Sequence, residues 1–121
     1  MGVVYHTHYL VWCEIARTDF IRQFGITYAD MERDGYLLAV ADAQVRYIAS
    51  ARYDDLIVVE AWLERAQSRL LTFGYEIFRA EPEPRQLLAT AQTKLIAMDR
   101  ASTPRVLPAE LLNRFKDASD R

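Results

Sequence analysis

Residues 7–24 read THYLVWCEIARTDFIRQF, and this stretch decides the fold. Tyr9, Cys13, Ala16, Phe20 and Phe24 recur at spacings of three and four, the repeat of one helix face. Trp12 and Ile21 widen that face. Glu14 with Arg17, and Asp19 with Arg22, stand at i,i+3 on its flanks. Thr7 suits an N-cap and Gly25 suits the residue just past the helix end. One long apolar helix is therefore expected.

Downstream the period changes. Residues 26–35 read as a connection with a short helical turn over Tyr28–Arg33. Leu37–Ile48 and Leu56–Ala66 are rich in β-formers, and Leu71, Phe73, Tyr75 and Ile77 alternate with Thr72, Gly74, Glu76 and Phe78. Leu87–Met98 alternates in the same way. The breaks at residues 50–55, 66–68 and 81–85 are short and turn-like, which favours antiparallel hairpins. Ala109–Phe115 is expected to form a short final helix after Pro108. One helix followed by four long strands buries its apolar faces most simply as an α+β fold, the sheet wrapped around the helix. A strand edge left open in that arrangement is one that dimerisation could pair.

The chain has 121 residues, enough for a single domain over 1–121. Fifteen Lys and Arg stand against 17 Asp and Glu, a net charge of −2, which argues against nucleic-acid or anionic-membrane binding driven by net charge. Cys13 is the single cysteine, so an intramolecular disulfide and a cysteine-based zinc site are both excluded. No metal or cofactor is expected. The opening lacks a basic segment followed by an apolar one, and no apolar run approaches the roughly 20 residues that cross a bilayer. A cytoplasmic protein without membrane insertion is expected.

The chemistry concentrates at residues 2–9, GVVYHTHY, which lead into the start of the long helix. A helix N-terminus offers free backbone N–H groups and the positive end of a dipole, suited to a carbonyl oxygen that gains negative charge. Tyr5 and His6 stand at the same place and can exchange protons. Trp12 and Trp62 read as core, Tyr47 and Tyr53 as core residues or acyl-pocket walls, and Cys13 as a small buried hydrophobe.

Gly2-Val3-Val4-Tyr5-His6, followed by Tyr9, Trp12, Glu14 and Ala16-Arg17, resembles the opening of the 4-hydroxybenzoyl-CoA thioesterase-like acyl-CoA thioesterases, which have the hotdog fold. The likeness continues through Ala51–Asp55, Phe73–Ile77, Leu87–Ala89 with Thr93, and Pro104–Pro108. The resemblance implies hydrolysis of an acyl-CoA to free acid and CoA, at a site built between the subunits of a homodimer, with pairs of dimers giving a tetramer. It implies that amides near Tyr5 and His6 polarise the thioester, with Gly2, Val3, Val4 and Tyr9 on the substrate side. The family's catalytic Asp would fall two positions before Met1, on the end of a first strand, so the chain is expected to be short by about one strand. Glu14 is then the candidate carboxylate on the helix, or else a structural partner of Arg17. Ser68 and Arg69, with Arg100 or Arg105, are candidates for the CoA phosphates, and Thr93 for the pantetheine arm. The alternative is a noncatalytic module that binds acyl-CoA or acyl-carrier-protein thioesters without turnover.

Overall fold

The computed structural model describes residues 7–119. Helix α1 spans Thr7–Arg22 and α2 spans Tyr28–Arg33; strands β1 (Leu37–Tyr47), β2 (Ile57–Ala66), β3 (Leu70–Arg79) and β4 (Gln86–Met98) follow, then α3 (Ala109–Ser119). Helix α1 stops where glycine permits. Gly25, at φ +75°, donates its N–H to the Arg22 carbonyl at 3.1 Å, and the Ile26 N–H reaches the Ile21 carbonyl at 3.2 Å. These two bonds satisfy carbonyls that the helix would otherwise leave bare. Thr27 caps α2 by accepting from the Asp30 N–H.

The strands form one antiparallel sheet in the order β1-β4-β3-β2. Leu71, Phe73, Tyr75 and Ile77 of β3 are fully buried on the face that receives α1. Their cross-strand partners Ala61, Leu63, Ala89, Ala91, Thr93 and Leu95 line the same face. Helix α1 covers β2 and β3, with Tyr9, Cys13 and Ile21 buried beneath it. Helix α3 packs on β2 and runs past the expected Phe115 to Ser119, because Phe115 and Ala118 both insert into the core.

Three aromatic residues depart from the core positions expected of them. Tyr47 and Tyr53 are 47% and 81% exposed. Trp62 projects from the outer face of the sheet, where it lies over Gly74 beside Glu64, whose carboxylate accepts from Gln92 Nε2 at 2.9 Å. Trp62 and Glu64 form one wall of a 590 Å³ groove across that face, with Gln44 and Arg46 opposite. A methyl group on Gly74 would overlap both Trp62 and Glu64. Gly74→Ala is therefore expected to cost about 1–3 kcal/mol, as overpacking does, measured by denaturant unfolding. An unchanged midpoint would show that the Trp62 ring moves aside freely.

A second apolar surface stays open. Leu10, Val11 and Ile15 on the other side of α1 are 39%, 50% and 57% exposed. On β1, Val40, Ala43 and Tyr47 pair with the inward residues Leu95, Thr93 and Ala89, so they face the helix side, yet all three are exposed. Among the described residues, a helix that is apolar on two sides stands beside a sheet face left largely exposed, and such surfaces are suited to being covered.

Candidate functional site at the start of α1

Tyr9, one turn into α1, fixes where the helix begins. Its hydroxyl accepts the Ala51 N–H at 2.8 Å, and its ring meets Tyr47 edge-on at 5.0 Å and Trp12 at 4.9 Å. These contacts hold the helix start against the end of β1 and the β1–β2 loop. That loop is itself tight: the Arg52 N–H donates to the Asp55 carboxylate at 2.7 Å, and Asp54 sits at φ +68°. A 16-residue helix thus presents its positive end at a fixed place. Gly2, Val3, Val4, Tyr5 and His6 lie outside the described residues.

Glu14 is exposed on the outer side of α1, where Val11, Glu14, Ile15, Thr18 and Asp19 surround a 320 Å³ hollow. It does not pair with Arg17, as the i,i+3 spacing suggested. Arg17 turns inward instead and is 6% exposed. Its Nε donates to the Tyr28 hydroxyl at 2.7 Å and its Nη1 to the Tyr75 hydroxyl at 3.3 Å; the Tyr75 and Thr93 hydroxyls are 2.7 Å apart. Burial alone would lower the Arg17 pKa, but the two tyrosine oxygens outweigh it and hold the guanidinium above its ordinary value. Among the described residues no carboxylate forms an ion pair with it. Thr93 is therefore a buried hydrogen-bonding partner in the middle of the sheet. The sequence held a signal for this cluster: Arg17 follows Cys13 by four and Tyr9 by eight, on the apolar face itself.

Cys13 is buried one turn before Arg17, and burial pushes its thiol from 9.0 up to about 11, with Arg17 opposing. A pKa raised on folding favours the folded state below the unfolded value and loses that advantage as pH climbs to the folded one. Stability is expected to fall between pH 9 and about 11 by on the order of 2 kcal/mol, and Cys13→Ala should flatten that decline. Equal slopes for both proteins would contradict this.

Ser68 and Arg69 occupy the β2–β3 turn, and their carbonyls accept from the Leu107 and Ala97 N–H groups. Leu37 pairs with Met98, and Leu70 with Ile96, so this turn, residues 99–105 and the start of β1 share one end of the sheet. Tyr9 touches Tyr47 at the opposite end. The ten residue steps of β1 separate the two ends by roughly 33 Å. Within the chain, the expected phosphate ligands and the helix start are therefore far apart. Among the described residues no group of His, Cys, Asp and Glu could hold a metal ion, and no helix is long and apolar enough to cross a membrane.

The thioesterase superfamily family model matches residues 1–85, most of the chain and the whole of α1. The chain belongs to the thioesterase superfamily. This thioesterase is 36% identical over 102 residues to the putative acyl-CoA thioesterase YneP of Bacillus subtilis strain 168, covering 84% of this chain and 72% of YneP. It is 29% identical over 116 residues to the acyl-CoA thioester hydrolase YbgC of Escherichia coli O157:H7, covering 95% and 84% of the two chains. Among solved structures, the DHNA-CoA thioesterase from Staphylococcus aureus is 31% identical with a TM-score of 0.90, over 99% of this chain and 81% of that one. The four-stranded antiparallel sheet with its long helix is the hotdog arrangement of this superfamily, and the α+β class expected from the sequence holds.

Proposed function

We propose that this thioesterase hydrolyses acyl-CoA to the free acid and CoA, at a site shared by two copies of the chain. One observation carries the reading. Tyr9 fixes the start of α1 beside the end of β1, and among the described residues β1 is an edge strand whose inner-face residues Val40 and Ala43 are exposed. The other sheet edge, at β2, is flanked by α3. A second β1 therefore extends the sheet most simply, and it brings the partner's surface against the helix start.

At that place the thioester carbonyl accepts hydrogen bonds from first-turn amides. Water adds to the carbonyl carbon, the oxygen takes the charge, and the C–S bond then breaks to release CoA as thiolate. Tyr5 and His6 orient the thioester or move a proton. Of the two carboxylates on α1, Glu14 is the candidate, one turn nearer the helix start than Asp19. Glu14→Gln tests that role: a fall in kcat of about 10²–10⁴ with KM unchanged assigns it the base, and an unchanged kcat removes it. The relatives named for acyl-CoA hydrolysis support the substrate class, and an acyl-CoA substrate is compatible with the expected cytoplasmic location.

A thiol-release assay on short, long and aromatic acyl-CoAs, with sedimentation of the same samples, tests the proposal. Release by a dimer or a pair of dimers is expected. Binding without release would favour the noncatalytic acyl-thioester module, and neither binding nor release would reject both readings.

A further inference from the structure

Arg79 is the last residue of β3 and is half-buried. It continues the two-residue repeat of Tyr75 and Ile77, so it stands on the face that receives α1, beside Ile57 of β2. Among the described residues its Nε is buried with no hydrogen-bond acceptor, and its guanidinium forms no ion pair. Its neighbours are better served. Arg17, buried on the same face, gives its Nε to the Tyr28 hydroxyl and its Nη1 to that of Tyr75. Arg85, in the turn that follows β3, meets Glu60 at 2.8 Å and lies 4.0 Å over the Phe78 ring. A buried donor without an acceptor costs its desolvation and returns nothing. For stability alone, an apolar side chain of the same length would serve better there.

The position gives that cost a use. Ile77 pairs with Ala89, Ala89 pairs with Tyr47, and Tyr47 meets Tyr9, so Arg79 lies at the end of the sheet where α1 begins. The Ala80 N–H donates to the Leu56 carbonyl at 2.8 Å, which ties this strand end down. The positive end of α1 and an unpaired guanidinium thus share one end of the sheet, and like signs brought together call for an anion. Asp55, in the loop at the same end, does not supply it, because its carboxylate accepts the Arg52 N–H at 2.7 Å. The Nε–H and an adjacent Nη–H of arginine form a fork that takes both oxygens of one carboxylate. In the order β1-β4-β3, Arg79 stands two strands from Tyr47, roughly 10 Å, a gap that an arginine side chain and a short acyl chain span together.

We propose that Arg79 receives a carboxylate at the far end of the acyl group, so that the preferred substrates are half-thioesters of short dicarboxylic acids with CoA. This rests on the acyl-CoA hydrolysis proposed above and names its substrate class.

Glutaryl-CoA and pentanoyl-CoA have acyl chains of equal length and differ in the terminal carboxylate. Wild-type protein is expected to favour glutaryl-CoA in kcat/KM by about tenfold or more. Arg79→Met keeps the length of the side chain and drops its charge. It should collapse that ratio through a higher KM for glutaryl-CoA, and Arg79→Lys should restore part of it. The urea midpoint of Arg79→Met should equal or exceed that of wild type, since the substitution removes a donor that nothing accepts. A guanidinium needed only by the fold would lower the midpoint and cost both substrates alike. A lower midpoint, a ratio unchanged by Arg79→Met, or wild-type protein indifferent to the carboxylate would each overturn the proposal. Release from pentanoyl-CoA in that last case would leave the hydrolase reading standing. Release from no acyl-CoA at all would instead bring that reading down.

Discussion

Val40→Asp is expected to yield a folded monomer that no longer releases thiol from acyl-CoA. Val40 faces the helix side of β1 and is 55% exposed in the single chain, so the substitution leaves the subunit's own core intact. In a dimer built on β1 it lies at the seam, where each copy of the new carboxylate would lose its water. An uncompensated buried charge costs several kcal/mol, enough to weaken association by about a thousandfold or more. Sedimentation velocity reads the mass, circular dichroism the fold, and thiol release the activity. A dimer that survives the substitution, or an active monomer, would contradict the shared site. Val40→Thr, which adds no charge, should remain dimeric.

Arg17→Ala should be among the most destabilising single changes, at about 3 kcal/mol. It removes a buried side chain and strips the Tyr28 hydroxyl of its 2.7 Å donor. Tyr75 retains Thr93, so the loss falls mainly on the α1–α2 contact. Arg17→Lys should rescue little, because one ammonium cannot reproduce a planar fork that reaches Tyr28 and Tyr75 together. Arg17→Met should cost less than Arg17→Ala, since it refills the volume and removes a charge that has no carboxylate partner. Urea unfolding midpoints check the order. Lysine equal to wild type would mean that charge alone, and not the two directed bonds, is what the site requires.

Much of this architecture was legible before any coordinates. The three-and-four spacing from Tyr9 to Phe24 marked α1, Gly25 marked its end, and the alternation through Leu71, Phe73, Tyr75 and Ile77 marked the central strand. Periodicity identifies which residues share a face, but not whether another element covers that face. Tyr47 looked like core because β1 is apolar, yet α1 packs chiefly on β2 and β3 and meets Tyr47 only at the Tyr9 ring edge, which leaves Tyr47 47% exposed. Trp62 looked like core by its size, yet its place in the alternation of β2 puts it outside, over a glycine that makes room for it. Arg17 was read by charge as a flank residue, although its position belongs to the buried stripe.

The site divides in the same way. The helix start could be located from residues 2–9, whereas the remoteness of Ser68, Arg69, Arg100 and Arg105 could not. That separation follows from the direction in which α1 runs across the sheet, which the contacts of Tyr9 with Tyr47 and Ala51 help to fix.

The central claim is that first-turn amides of α1 receive the thioester oxygen. A CoA ketone analogue, with CH₂ in place of the sulfur, keeps the carbonyl and cannot be cleaved. Titrated into ¹⁵N-labelled protein, it should move the amide protons between Tyr5 and Tyr9 downfield, by more than any others in α1. Saturable binding that leaves those amides where they were, and shifts resonances elsewhere in the chain, would contradict the account.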